Sequence, residues 1–235
     1  MAGIVCALSA EARHLGPRTG AGARIEALAD GTLLSVSGIG AVAARRGAQA
    51  LVEAGASALV SFGLAGGLDP SLPAGAICLP SEVIATSGIV MPTARLWRER
   101  IGAALAGQRT IAAGRLLSSE RAVASVEDKA QLFRATGAVA VDMESAAVAQ
   151  VASAHGLPFV AARVIVDSAA DELPRAVAVA ADGAGRLKLW RLIGALALAP
   201  ADLPPLFRLA RRYRAASRSL AALARSGVRA PHASP

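Results

Sequence analysis

Several ionisable side chains of this chain stand at the ends of apolar runs, where a folded protein seldom leaves a charge without a reason. Val141-Asp142-Met143-Glu144-Ser145 sets two carboxylates at the join between an apolar segment and an Ala-rich one. Arg163-Val164-Ile165-Val166-Asp167 puts an arginine and an aspartate at opposite ends of another apolar run, and Glu11 closes the first. Charges there are costly to bury unless they are paired or functional. Asp142 also reads as a helix N-cap, which leaves Glu144 either in the first helical turn or pointing at a ligand over a sheet. Taken singly, each acid reads as structural. Together, Glu11, Glu144 and Asp167 with one arginine predict an acid–base site in which Arg163 orients a carboxylate.

Two glycine-rich turns accompany them. Gly38-Ile39-Gly40-Ala41-Val42-Ala43 imitates a dinucleotide fingerprint, but the acidic residue expected about 20 positions on is missing, since Val60, Ser61 and Phe62 stand there. NAD binding is therefore set aside, and these glycines are expected only to let backbone approach a ligand or a neighbouring helix. The second turn, Phe62-Gly63-Leu64-Ala65-Gly66-Gly67-Leu68, ends a strand, where open α/β sheets expose backbone to ligands.

The elements that must hold these residues alternate between β-rich runs and Ala-rich helical stretches, the pattern of an α/β sheet covered by helices. Strands are expected at 4–8, 24–28, 33–37, 58–62, 76–79, 110–113, 138–141 and 159–166, and helices at 42–53, 94–106, 126–136 and 145–155. Beyond Pro174 the texture changes to an Asp182-Gly183-Ala184-Gly185 turn and two helices separated by Pro200. The second, about 205–225, sets Leu206, Leu209, Tyr213, Leu220 and Leu223 at helical spacing among Arg208, Arg211, Arg212, Arg214, Arg218 and Arg225. Such a basic amphipathic helix either packs its stripe on the main body or lies at an anionic membrane surface.

Charge follows the same division. Lys+Arg 25 against Asp+Glu 17 gives +8 over 235 residues, yet residues 1–174 carry 14 basic and 15 acidic side chains and residues 175–235 carry 11 and 2. The chain therefore reads as a neutral catalytic body, 1–174, with a basic helical appendage, 175–235, packed on the same domain. No nucleic-acid partner is expected, because Tyr213 is the only tyrosine and aromatic stackers are not interleaved with the basic residues. Two cysteines in apolar segments and three histidines give neither a disulfide framework nor a zinc pattern, so no metal or cofactor is expected. The longest uncharged run, 145–162, contains Gln150, His155, Gly156 and Pro158 and reads as a helix followed by a strand rather than a membrane span. With no basic region before its first apolar run, the chain is expected to be cytoplasmic.

The runs Ala7-Leu8-Ser9-Ala10-Glu11, Ser37-Gly38-Ile39-Gly40, Gly63-Leu64-Ala65-Gly66-Gly67, Val141-Asp142-Met143-Glu144-Ser145 and Arg163-Val164-Ile165-Val166-Asp167 resemble, in order and spacing, the nucleoside phosphorylase family, most closely its methylthioadenosine/S-adenosylhomocysteine nucleosidase branch. Ser118-Ser119-Glu120-Arg121-Ala122-Val123 and Leu203-Pro204-Pro205-Leu206-Phe207 resemble the hopanoid-biosynthesis-associated subgroup. The resemblance implies a three-layer α/β/α fold with a mixed, partly barrel-like sheet, a homo-oligomer such as a homodimer, and cleavage of a purine N-ribosidic bond. Carried over, Asp167 protonates N7 of adenine, Glu144 holds the ribose hydroxyls and Glu11 activates water. Met143 packs under the sugar, while Gly66 and the backbone of Val123 border the base.

Three positions depart from the branch, which usually has serine where Leu64 stands, a hydroxyl residue where Val166 stands and an aromatic where Ala122 stands. A roomier, less polar pocket follows, suited to a large apolar 5′ substituent such as that of adenosylhopane, a lipid-linked nucleoside; methylthioadenosine or S-adenosylhomocysteine is the alternative. Phosphorolytic members use a Gly-Asp-Pro-type loop after the first strand and an arginine before the second glycine turn. Here Glu11 and Ser61 occupy those places, so the balance favours water over phosphate unless Arg13, Arg45 or a partner's arginine substitutes. The competing class is a non-catalytic membrane or nucleic-acid binding module on the same fold, against which the retained Glu11, Glu144 and Asp167 weigh.

Overall fold

The computed structural model describes residues 1–16, 25–172 and 203–231, of which 203–210 by backbone alone. Among them the strands β1 (Ala2–Cys6), β2 (Glu26–Ala27), β3 (Leu33–Val36), β4 (Ala58–Gly67), β5 (Ile77–Cys78), β6 (Glu82–Ala85), β7 (Val90–Pro92), β8 (Ile111–Ala112), β9 (Arg115–Ser118), β10 (Ala138–Asp142) and β11 (Phe159–Asp167) form one 11-stranded mixed sheet. Helices α1 (Ser9–Ala12), α2 (Ala41–Glu53), α3 (Arg95–Leu105), α4 (Val126–Thr136), α5 (Ser145–Ala154) and α6 (Leu203–Arg225) flank it.

The sheet branches at β4. Its first half pairs in parallel with β1, its last two residues pair antiparallel with β10, and β11 runs parallel along it from Phe159↔Leu59 to Asp167↔Gly66. Side chains of β4 and β11 alternate between two cores, as the period of two in a strand requires. Leu59, Ala161 and Ile165 pack with Ala44, Ala48 and Leu51 of α2 and with Ala147 and Val148 of α5. Val60, Phe62, Val160, Ala162 and Val164 pack with Trp97 and Ile101 of α3 and with Leu220 and Leu223 of α6. Helices on both faces of a sheet buried from both sides make the three-layer α/β/α arrangement.

Most expected elements lie within a few residues of their places. Three short strands, β6, β7 and β9, have no counterpart in the expected set, because four-residue or shorter runs edged by Glu82, Arg115 and Pro92 give little alternation to read. Leu8 leaves the first strand and becomes the N-cap of α1. The turn at 182–185, the helix before Pro200 and the boundary at 174/175 lie outside the described residues. Of the leucine stripe on α6, Leu220 and Leu223 are fully buried in the protein core, so this part faces protein and not a membrane interface.

Candidate active site

The C-terminal ends of β1, β4, β10 and β11 meet at one place, and each delivers part of a cavity of about 320 Å³, in the range of small-molecule sites. Glu11 arrives on α1, directly after β1. Its carboxylate accepts the N–H of Leu8 at 2.9 Å and that of Leu64 on β4 at 2.9 Å, which ties the helix start to the sheet. Gly63 has room for no side chain, since a Cβ there would lie 2.5 Å from Oε1 of Glu11 and 2.7 Å from Nη1 of Arg163. On β11 the register slips between Ile165 and Asp167, a bulge at Val166 that turns Asp167 toward Gly66 and the cavity.

Glu144 is held by the first glycine turn. Gly40, at φ +95°, aims its N–H at Oε1 of Glu144 over 2.8 Å, so this glycine turn approaches a carboxylate rather than a dinucleotide. Glu144 itself occupies the N-cap position of α5, and Asp142 is displaced from that role; it accepts the Ser145 N–H from two residues before the cap.

Arg163 stands behind the carboxylates and is not among the residues lining the cavity. The alternation of β4 and β11 sends Arg163 and Ser61 to the same face, toward α5. There the guanidinium pairs with Asp142 at 2.6 Å and Glu144 at 3.5 Å and donates to Ser61 Oγ at 2.6 Å and Ser145 Oγ at 3.2 Å. Burial alone would lower its pKa, but Asp142, Glu144 and Glu11 raise it above the ordinary value and keep it charged. Burial conversely raises Glu11, against the opposing charge of Arg163 and the N–H groups of Leu64 and Leu8. Glu144 is likewise raised, by burial first and with help from Asp142, against Arg163.

Asp167 is 4% exposed, and burial raises its pKa. The opposing cation is Lys129 on α4, a residue not among the candidates expected from the sequence. It sits beside Glu127 and Asp128 and looks like part of a solvated face. The overlooked signal is helical: Lys129 lies three and four residues before Leu132 and Phe133, which pack against the sheet. Helix α4 itself is well signposted, with the Ser125 side chain accepting from Asp128 N at 3.0 Å and Gly137 closing it in the left-handed region.

Gly66, Val123 and Met143 line the cavity with Glu11, Glu144 and Asp167, and so do Leu64, Ala122 and Val166. Leu8 and Ile39 add to the apolar wall, and Arg121 is a basic lining residue not foreseen. Arg13 donates to Tyr213 and Arg45 to Gln150, and neither reaches the cavity. With a largely apolar wall, a buried acid at Asp167 and two carboxyls whose charge Arg163 favours, the arrangement can deliver a proton to a leaving group and stabilise positive charge left behind.

The sequence profile of the Phosphorylase superfamily matches residues 3–193. The 5′-methylthioadenosine/S-adenosylhomocysteine nucleosidase of Treponema pallidum is 44% identical over 59 residues, which is 25% of this chain and only 22% of that protein. The solved 5′-methylthioadenosine/S-adenosylhomocysteine nucleosidase from Neisseria meningitidis, in complex with methylthio-immucillin-A, is 21% identical with a TM-score of 0.71 over 97% of this chain and 98% of that one. The native futalosine hydrolase of Helicobacter pylori is 18% identical with a TM-score of 0.67, covering 94% and 96%. At such identities the two solved structures share the fold with this chain.

Proposed function

From a chain that belongs to the phosphorylase superfamily, we propose cleavage of the N-glycosidic bond of a 5′-substituted adenosine with release of adenine. The observation that carries this reading is the convergence of Glu11, Glu144 and Asp167 on one cavity, with burial favouring the protonated acid at Asp167 and the Arg163 charge opposing burial at Glu11 and Glu144. Loss of a purine leaves an oxocarbenium-like sugar, so the base needs a proton and the sugar needs negative charge. Asp167 protonates N7, Glu144 holds the ribose hydroxyls, and Glu11 positions the attacking nucleophile. Met143 packs under the sugar and Gly66 and Val123 border the base.

Water is the acceptor in this reading. Glu11 would repel an anionic phosphate, Ser61 is committed to Arg163, and Arg13 and Arg45 are engaged elsewhere. The apolar wall of Leu8, Ile39, Leu64 and Val166 suits a large apolar 5′ group, which supports adenosylhopane over methylthioadenosine. Residues 1–174 form the catalytic body, and α6 belongs to the same domain while its exposed Arg211, Arg214 and Arg218 serve an anionic membrane at the cytoplasmic face.

Adenine release from adenosylhopane and from methylthioadenosine, each with and without phosphate, tests the reading. Phosphate-independent release from adenosylhopane is expected. Faster release from methylthioadenosine replaces the substrate, a ribose 1-phosphate product replaces the acceptor, and release from neither overturns the activity.

A further inference from the structure

The ammonium of Lys129 is fully buried, in a position where lysine is rarely found unless paired. Its three donors meet three acceptors: Oδ2 of Asp167, the carbonyl oxygen of Ser168 at 3.0 Å and that of Asp171 at 2.8 Å. The first is the last residue of β11, and the other two belong to the turn that follows it. The same turn is closed from inside by Ser168, whose N–H and hydroxyl donate to Oδ2 of Asp171 at 2.9 and 2.7 Å. From outside, Arg212 of α6 pairs with the other oxygen of Asp171.

Resting on the functional reading above, we infer that Lys129 is the positioning residue of the general acid: it fixes one oxygen of Asp167, leaves the other to the cavity, and stabilises the carboxylate that forms on proton transfer. In that step the O–H bond of Asp167 breaks as the N7–H bond forms. The electron pair of the glycosidic bond passes to the purine, and Lys129 keeps its own protons. A charge that appears on Asp167 only as the reaction proceeds is then met by a cation already in place, which favours the transition state over the ground state. A lysine that merely filled space would give no such coupling.

The charged groups around Asp167 are Lys129 from α4, Asp171 on the turn and Arg212 from α6, with Glu11, Glu144 and Arg121 across the cavity. Lys129 is the one in direct contact, so its removal should let the Asp167 carboxyl titrate at higher pH. The test compares wild type, Lys129→Met and Lys129→Arg. The first readout is the ¹³C-carboxyl NMR titration of Asp167, identified by its loss in Asp167→Asn and requiring no substrate. The second is the pH dependence of kcat/KM. In Lys129→Met the titration midpoint and the alkaline limb should rise together, while kcat falls about a hundredfold, as misplacement of a catalytic group by about 1 Å can cause, with KM little changed. Lys129→Arg should restore part of the kcat and return the limb toward wild type.

A folded Lys129→Met with wild-type midpoint and pH profile overturns the inference. Should that variant not fold, the ¹⁵N signal of the Lys129 ammonium in wild type decides instead, since it must move through the same midpoint as Asp167, and an unresponsive signal overturns the coupling. If wild type cleaves none of the nucleosides, the functional reading fails by itself, and the two NMR midpoints still judge the pair.

Discussion

A carboxyl group that delivers a proton near neutral pH must first resist losing it, and burial gives Asp167 that resistance while Lys129 limits it. Asp167→Asn keeps the shape and an acceptor oxygen for Lys129 but has no acidic proton. Turnover should fall by about 10²- to 10⁴-fold with cooperative unfolding retained, and survival of more than roughly a tenth of the activity removes Asp167 from the role. Gly63 offers a second probe. A methyl group there collides with the Glu11 carboxylate and the Arg163 guanidinium, both buried and hydrogen-bonded, so Gly63→Ala should cost about a hundredfold through misplacement of Glu11. Because both changes act through one carboxylate, Gly63→Ala and Glu11→Gln should be far from additive in a double-mutant cycle; additive losses would uncouple them. The acids were legible because charge at the end of an apolar strand is conspicuous. Lys129 is less legible, since its charge hides beside Glu127 and Asp128 and only its helical spacing to Leu132 and Phe133 marks the buried face. The pairing of Arg163 with Asp142 is not legible in the sequence, because it joins β10 to β11, which are not neighbours in the sheet.

At the scale of elements, the long strands and α2 to α5 could be read from their apolar runs and glycine stops, whereas the branching of the sheet at β4 could not. That branch depends on β4 pairing β1 at one end and β10 at the other, a long-range choice without a local sequence mark. Helix α6 divides along its length in a similar way. Its last turns bury Ala216, Leu220 and Leu223, while Arg211, Arg214 and Arg218 remain exposed and Arg212 is engaged with Asp171. Each basic residue near an anionic surface contributes about 1 kcal/mol, so three reversals weaken such binding strongly. Arg211, Arg214 and Arg218 changed together to Glu should abolish salt-sensitive flotation with anionic vesicles and preserve cleavage of a short water-soluble adenosine analogue. Arg212 is left in place so that its pairing with Asp171 is undisturbed. Equal flotation of wild type with neutral and anionic vesicles, or with neither, returns α6 to a purely packing role.

For the whole molecule, the concentration of buried acids in one cavity sets how stability responds to pH. Glu11, Glu144 and Asp167 are all raised by burial above their ordinary values of 4.5, 4.5 and 3.8. As pH climbs past those values the unfolded chain releases these protons before the folded one does. The folded state then holds more protons than the unfolded state, and stability falls with rising pH until the folded groups have ionised too. His14 has the opposite sign. Burial, and then Arg13, lower its pKa below 6.5, so it favours the fold as pH rises toward that value, an effect screened by its partial exposure. Asp30, lowered below 3.8 despite its partial burial by the Thr32 N–H and hydroxyl and by Arg229, acts only at more acidic pH. Three buried acids against one half-exposed histidine give a net decline. Calorimetric unfolding from about pH 4.5 to 8 should show the melting temperature decreasing with pH over the range in which these acids ionise. Glu144→Gln removes one of the three titrations and should flatten the slope whatever it does to absolute stability. A melting temperature that climbs across this range, or a slope that Glu144→Gln leaves unchanged, means that the cavity acids are ionised in the fold at their ordinary values.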